Sequence, residues 1–163
     1  VANDPNWDPF TFDYDADIAR IAQADGGAGA AMDPNIGPFV MRAGKLLMYH
    51  GWTDGLISPG NTINYYESVV ETIGADAAAD SVRLFMLPGV DHCQGGEGAF
   101  LVDYVAALDT WITTGEAPER LPASRPPGEN SFSRRVCAYP AEPQWSGTGD
   151  VADGANWWCA DPR

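Results

Sequence analysis

The stretch Lys45-Leu46-Leu47-Met48-Tyr49-His50, with the loop Gly51-Trp52-Thr53-Asp54-Gly55-Leu56-Ile57 and the pair Ser58-Pro59 behind it, decides how this chain folds. The run KLLMYH is apolar without polar alternation and is bounded by Gly44 and Gly51. Such a run fits a strand covered on both faces, as in a parallel sheet, rather than a half-solvated antiparallel strand. Ser58 is a favoured N-cap and Pro59 a favoured first helical residue. Behind them Ile63, Tyr66, Val70 and Ile73 recur at spacings of three and four, which predicts a helix with one buried stripe. Gly74 ends it.

The pattern then repeats. Residues 75–81 are small and read as a linker. Val82 to Leu87 (VRLFML) is a second apolar strand, stopped by Pro88 and Gly89. The loop Val90-Asp91-His92-Cys93-Gln94-Gly95-Gly96 leads to a predicted helix from about Gly98 to Thr114. Its stripe would be Leu101, Tyr104, Val105, Leu108, Trp111 and Ile112, with Gly115 as its stop. Two strands linked through a helix predict an α/β fold with a parallel pair and a right-handed crossover.

On the N-terminal side, Asp13, Asp15 and Asp17 alternate like the start of a calcium loop, but the glycine and distal glutamate of an EF-hand are missing. A short helix to about Ala24, with acids at the positive end of its dipole, is the better reading. Residues 26–44 read as a loop with one helical turn. From Ala117 onward Pro and Gly accumulate, and the tail reads as irregular. The chain thus divides into a core over residues 1–116 and a tail over 117–163 packed on it.

Two strands and two amphipathic helices do not close a core, because parallel sheets are buried on both faces and are rarely two strands wide. The pattern therefore predicts a part of a larger sheet: a processed piece held to a partner chain, or a fragment that assembles with copies of itself. At 163 residues the chain is one domain in size, and 45% hydrophobic with 20% charged residues is a globular composition. No apolar run approaches the ~20 residues of a membrane span. No signal peptide opens the chain at Val1, as in a processed secreted protein. With 23 acidic against 9 basic residues the net charge is −14, which excludes nucleic acid and disfavours anionic membrane as partners.

Three cysteines are present, without CxxC or HxxxH spacing, so zinc is not expected. Cys137 and Cys159 bracket a segment rich in Pro, Gly and Trp with little secondary-structure signal, and a disulfide between them is predicted. Closing a loop of that size is worth about 3 kcal/mol in the loop-entropy account. Cys93 is then the odd cysteine, either a free buried thiol or one whose partner lies elsewhere.

The chain has two histidines, His50 and His92, both at the C-terminal ends of predicted parallel strands, the edge where α/β folds gather their chemistry. Asp54 follows the first strand and His92 the second. An acid on one such loop can fix the tautomer of a histidine on the next and leave its other nitrogen to accept a serine proton. Asp91 is the alternative acid, but adjacent side chains seldom meet in the required orientation, and it more readily shapes its own turn. His50 is read as structural, satisfying loop carbonyls. No G-x-S-x-G occurs, and none of the serines lies between glycines on a strand-to-helix turn. Two-thirds of a triad are present, and the chain alone should be inert.

Gly44 to Tyr66 (GKLLMYHGWTDGLISPGNTINYY) and Leu84 to Gly96 (LFMLPGVDHCQGG) resemble the acid and histidine segments of the tannase and feruloyl esterase family. The tail from Arg135-Val136-Cys137-Ala138-Tyr139-Pro140 through Trp145, Gly147 and Asp150 to Cys159 resembles it too. The resemblance implies the C-terminal strand-helix-strand-helix part of an α/β-hydrolase sheet plus a disulfide-stapled irregular tail. It implies Asp54 as triad acid, His92 as general base, and Cys93 as half of a disulfide to a cysteine beside the nucleophilic serine. That serine, the oxyanion hole and a lid domain that often binds calcium would lie in a missing N-terminal part; no cofactor is expected in this chain. The implied partner is a nucleophile-bearing chain linked through Cys93, and the implied substrate an ester of a phenolic or aromatic acid, outside or in the periplasm of the cell. Trp52, Leu56 and Ile57 are candidates for the acyl pocket. The rival expectation is a non-catalytic homo-oligomer, joined through Cys93 and exposed apolar faces.

Overall fold

The computed structural model describes residues 5–26, 30–128 and 130–162. The chain forms two compact units, residues 1–33 and 34–163. In the first, α1 (Tyr14–Asp25) starts at Asp13, whose carboxylate accepts the N–H groups of Asp15 and Ala16. Asp17 reaches back to the Asp13 N–H at 3.0 Å and pairs with Arg20. The alternating acids are thus helix-start chemistry. The loop expected over 26–44 includes 27–29, which lie outside the described residues; its helical turn is α2 (Gly37–Val40) in the second unit.

The second unit is organised by β1 (Leu46–Gly51) and β2 (Val82–Leu87), parallel and paired from Leu46 with Val82 to Gly51 with Leu87. The crossover contains α3 (Pro59–Ile73) and, where a linker was expected, α4 (Ala75–Ser81). Its alanines favour helix once Gly74 has broken the preceding one. Ser58 stands at the N-cap of α3 without a side-chain capping bond. The stripe of α3 is half-buried, and Val69, outside the expected set, is its fully buried residue.

The last helix, α5 (Tyr104–Thr114), begins six residues later than the pattern predicts. Asp103 caps it through the Ala106 N–H. Leu101 instead bonds Ser124 in both directions as extended backbone. Only Trp111 of the expected stripe is fully buried; Val105 and Ile112 are 79% and 63% exposed. The tail is not irregular. It folds into two antiparallel hairpins, β3 (Arg120–Ser124) with β4 (Ser133–Cys137), and β5 (Glu142–Trp145) with β6 (Trp157–Ala160). Leu121, Ala123, Val136 and Ala138 join Phe85, Leu87, Val90 and Ala99 in one core. The Cys137–Cys159 disulfide is formed and ties β4 to β6. Arg134 lies 4.5 Å from the ring centres of both Phe132 and Trp157 and donates to the carbonyls of Ser133 and Val151. A guanidinium between two rings and a covalent staple hold a segment whose strands are too short to hold themselves.

The two parallel strands differ in cover. β2 is buried along nearly its whole length, whereas β1 is half-exposed and, among the described residues, pairs with β2 alone. Among the described residues no helix is long and apolar enough to cross a membrane.

Candidate active site

Both loops leave the C-terminal ends of their strands side by side. The Trp52 N–H bonds the Leu87 carbonyl and the Thr53 N–H that of Val90, so the loop after β1 runs against the loop after β2. Gly51 makes this approach possible: a Cβ there would collide with the carbonyl oxygens of Val90 and Asp91. The Thr53 hydroxyl adds a 2.9 Å bond to Asp91 Oδ1. Asp91 thus shapes the loop junction and makes no bond to its neighbour His92 among those of the described residues.

Asp54 is brought into this junction with its side chain 2% exposed. Its Oδ1 accepts the N–H groups of Leu56 at 2.8 Å and Ile57 at 3.0 Å. Its Oδ2 lies 2.8 Å from His92 Nδ1 and 3.0 Å from His50 Nε2. The Ile57 N–H is the largest influence on the carboxyl; burial opposes it, and the His92 bond and Leu56 N–H add to it. Together they hold Asp54 well below the usual carboxylate range, so it is an anion at any working pH.

The two histidines of the site are used differently. His50 has both ring nitrogens engaged: Nδ1 with Thr62 Oγ1 at 2.7 Å, and Nε2 with the Ile57 carbonyl at 3.2 Å as well as Asp54. Its expected bond to a loop carbonyl is present, and its reach to the acid is an addition. His92 uses only Nδ1, and its side chain is 48% exposed. With Nδ1–H directed at a carboxylate, its Nε2 carries the free lone pair and can accept a proton from an incoming group.

Tyr49, His50, Gly51, Asp54, Ile57, Val90, His92 and Cys93 line a shallow cleft of about 230 Å³ over this pair. Of the three candidate pocket residues, Ile57 lies on this cleft. Trp52 lines a neighbouring one with Met86, Tyr139 and Pro143, and Leu56 projects outward, 77% exposed. A larger cleft of about 360 Å³, under Phe132, Arg134 and Trp157, contains neither Asp54 nor His92. Cys93 is an exposed free thiol with a left-handed backbone, φ 64°. Among the described residues no cluster of three or more acidic, histidine or cysteine side chains could hold a metal ion.

A buried acid and an open histidine on neighbouring strand ends is a constellation that recurs on many folds, so kinship has to be established separately. Residues 2–160 match the model of a family described as tannase and feruloyl esterase. The chain belongs to the tannase and feruloyl esterase family. It is 35% identical over 162 residues to a mono(2-hydroxyethyl) terephthalate hydrolase of Piscinibacter sakaiensis, covering 93% of this chain and 26% of that protein. It is 34% identical to a probable feruloyl esterase B-2 of Aspergillus terreus, covering 98% of this chain and 34% of that protein. A solved esterase from Aspergillus oryzae superposes with a TM-score of 0.79 at 30% identity, over 98% of this chain and 36% of that one. The chain therefore spans about a quarter to a third of the length of the relatives it matches.

Thr62, Thr53 and His50 are the members of the junction that the sequence did not assign to it. Thr62 had one available signal: it faces the strand end from the first turn of a helix packed on β1.

Proposed function

We propose that this chain supplies the acid and the general base of a serine carboxylic-ester hydrolase acting on esters of phenolic or aromatic acids. The observation that carries this is the Asp54–His92 contact at 2.8 Å, with the second nitrogen of His92 free above an open cleft. The substrate class rests on the family and on two relatives named for terephthalate and ferulate esters. No serine bonds His92 among the described residues, so the nucleophile is supplied from outside them. The half-exposed edge of β1 then continues into the rest of an α/β-hydrolase sheet. Cys93, exposed and next to the base, forms a disulfide with a cysteine beside that serine. An extracellular or periplasmic setting, where disulfides persist, suits this reading.

The proposed mechanism runs through this pair. The serine oxygen attacks the ester carbonyl carbon as its proton passes to His92 Nε2. Asp54, already anionic, stabilises the imidazolium through Nδ1–H. Collapse of the tetrahedral intermediate expels the alcohol, which takes the proton back from His92 and leaves an acyl-enzyme. Water attacks the acyl carbon with His92 again as base, releasing the aromatic acid.

The test is made on the native protein. A fluorophosphonate should label one serine, a chromogenic aromatic ester should be hydrolysed, and a non-reducing peptide map should join the Cys93 peptide to the peptide bearing that serine. A native species that neither hydrolyses the ester nor takes the label would overturn the esterase reading. A free Cys93 in active protein would overturn the disulfide alone.

A further inference from the structure

Three hydrogen bonds and one close imidazole converge on one carboxylate. An ionised carboxylate has about four lone-pair sites; Asp54 accepts two N–H groups on Oδ1 and His92 on Oδ2, and His50 Nε2 lies 3.0 Å from Oδ2. The mechanism above uses only one of these, His92. His50 is the unused group, and it is placed by more than chance packing. The two atoms before its Nε2, Asp54 Oδ2 at 3.0 Å and the Ile57 carbonyl at 3.2 Å, are acceptors only. A proton must therefore sit on Nε2. In the neutral ring Nδ1 is then an acceptor, and the atom facing it at 2.7 Å is the Thr62 hydroxyl, which can donate. His50 comes from β1, Thr62 from α3 and Ile57 from the loop between them, so the three elements close around Asp54 in one chain of bonds.

Resting on the esterase reading above, we propose that His50 is a positioning residue for the triad acid: Thr62 fixes its Nε2–H tautomer, and that N–H, 3.0 Å from Asp54 Oδ2, bonds the Ile57 carbonyl and so seats the Ile57 N–H on Asp54 and keeps the carboxylate in register for His92. It is not a second base, because neither nitrogen is free. Without His50 the Ile57 carbonyl loses its side-chain partner, and the buried carboxylate loses the N–H that lies beside it. The carboxylate is then free to rotate away from His92 Nδ1. The loss is expected in turnover rather than in ester binding.

The test uses the native enzyme with long-range ¹H–¹⁵N spectra of its histidines, and steady-state kinetics of four variants. The proton of His50 is expected on Nε2. His50→Ala and Thr62→Val are expected to lower kcat roughly 10- to 100-fold, with KM changed less than about twofold. His50→Gln, which can present an amide N–H near the Nε2 position, and Thr62→Ser, which keeps the hydroxyl, are expected to recover much of that loss. A His50 proton on Nδ1, an unchanged kcat in Thr62→Val, or a His50→Gln no better than His50→Ala would each overturn the proposal. If His50→Ala does not fold, the Thr62 pair and the spectrum decide it. The spectrum needs no turnover, so an inactive native protein would sink the esterase reading while the tautomer still judged this one.

Discussion

Asp54 and His92 leave the same edge of the same pair of strands, yet the loop after β1 holds the carboxylate of its residue with two of its own N–H groups, while the side chain of His92 is held only by the bond to Asp54 among the described residues. Asp54 is 2% exposed, accepts from Leu56, Ile57 and His92, and lies 3.0 Å from His50 Nε2. The side chain of His92 is 48% exposed, beside a bare thiol on left-handed backbone. The acid side of the junction is complete within this chain. The base side is held loosely and open, which leaves its second nitrogen free to meet an incoming group. The chain can therefore set the protonation state of its acid without help, but it cannot by itself fix where its base points.

Substitutions should separate the two loops. In the native enzyme His92→Ala is expected to cost roughly 10⁵-fold in kcat, because the proton acceptor is gone. Its melting temperature should fall less than that of Asp54→Asn, since the carboxylate keeps its two N–H partners from Leu56 and Ile57. Turnover within tenfold of normal would remove His92 from the role of base. Asp54→Asn should cost somewhat less, about 10⁴-fold, by leaving His92 in the wrong tautomer. It should also destabilise the fold more than His92→Ala does.

That second effect has a definite pH signature. The folded carboxyl of Asp54 is depressed below its unfolded value, so its stabilising contribution is fully present above about pH 4. It is lost as the pH falls below that towards the folded value. Thermal unfolding of the unsubstituted protein should therefore steepen in its acid dependence below about pH 4, and Asp54→Asn should flatten that slope. An identical acid profile in both would mean that the groups around Asp54 do not discriminate the charged carboxyl.

Gly51→Ala probes the seam between the loops. The added methyl meets the carbonyls of Val90 and Asp91, so the base loop must withdraw from the acid loop. A cost of about 1–3 kcal/mol in stability is expected. A loss on the order of 10²-fold in kcat should accompany it as His92 leaves its place. Unchanged kinetics would show that the backbone contact is not what brings the loops together.

The division between legible and illegible sequence follows the same seam. β1, α3 and β2 could be placed to within about a residue because uninterrupted apolar runs and a capped 3.6-residue period leave few alternatives. The contact of Asp54 with His92 followed from their positions at strand ends. The helix over 75–81 was hidden because its Ala-rich sequence has no amphipathic stripe to read. The start of α5 was misplaced because Leu101 fits the helical period but is taken by Ser124 of a strand far along the chain. The tail hairpins were invisible for a similar reason. β3 carries Pro122 and β5 carries Pro143, and their order comes from Arg134, the disulfide and the shared core rather than from local preference. His50 shows the limit at the site itself. Its type and position were plain, but its two partners are set by an adjacent helix and loop, and no spacing announces that both nitrogens are occupied.

The smallest expected effect tests whether side chains add to what the backbone of the seam already does. The Thr53 hydroxyl spans the two loops at 2.9 Å to Asp91 Oδ1, while the Thr53 N–H spans them independently to the Val90 carbonyl at 3.0 Å. Thr53→Val removes the first and keeps the second, along with the shape of the side chain. Both partners of the lost bond are solvent-exposed, so water can replace it, and the cost should stay near 1 kcal/mol or below. Asp91 retains its loop, and His92 should shift little: kcat is expected to fall only a few-fold, measured beside Gly51→Ala under the same conditions. A loss as large as that of Gly51→Ala would reverse the order of the two contacts, making the hydroxyl the tie that seats the base loop and the glycine only a passage for it.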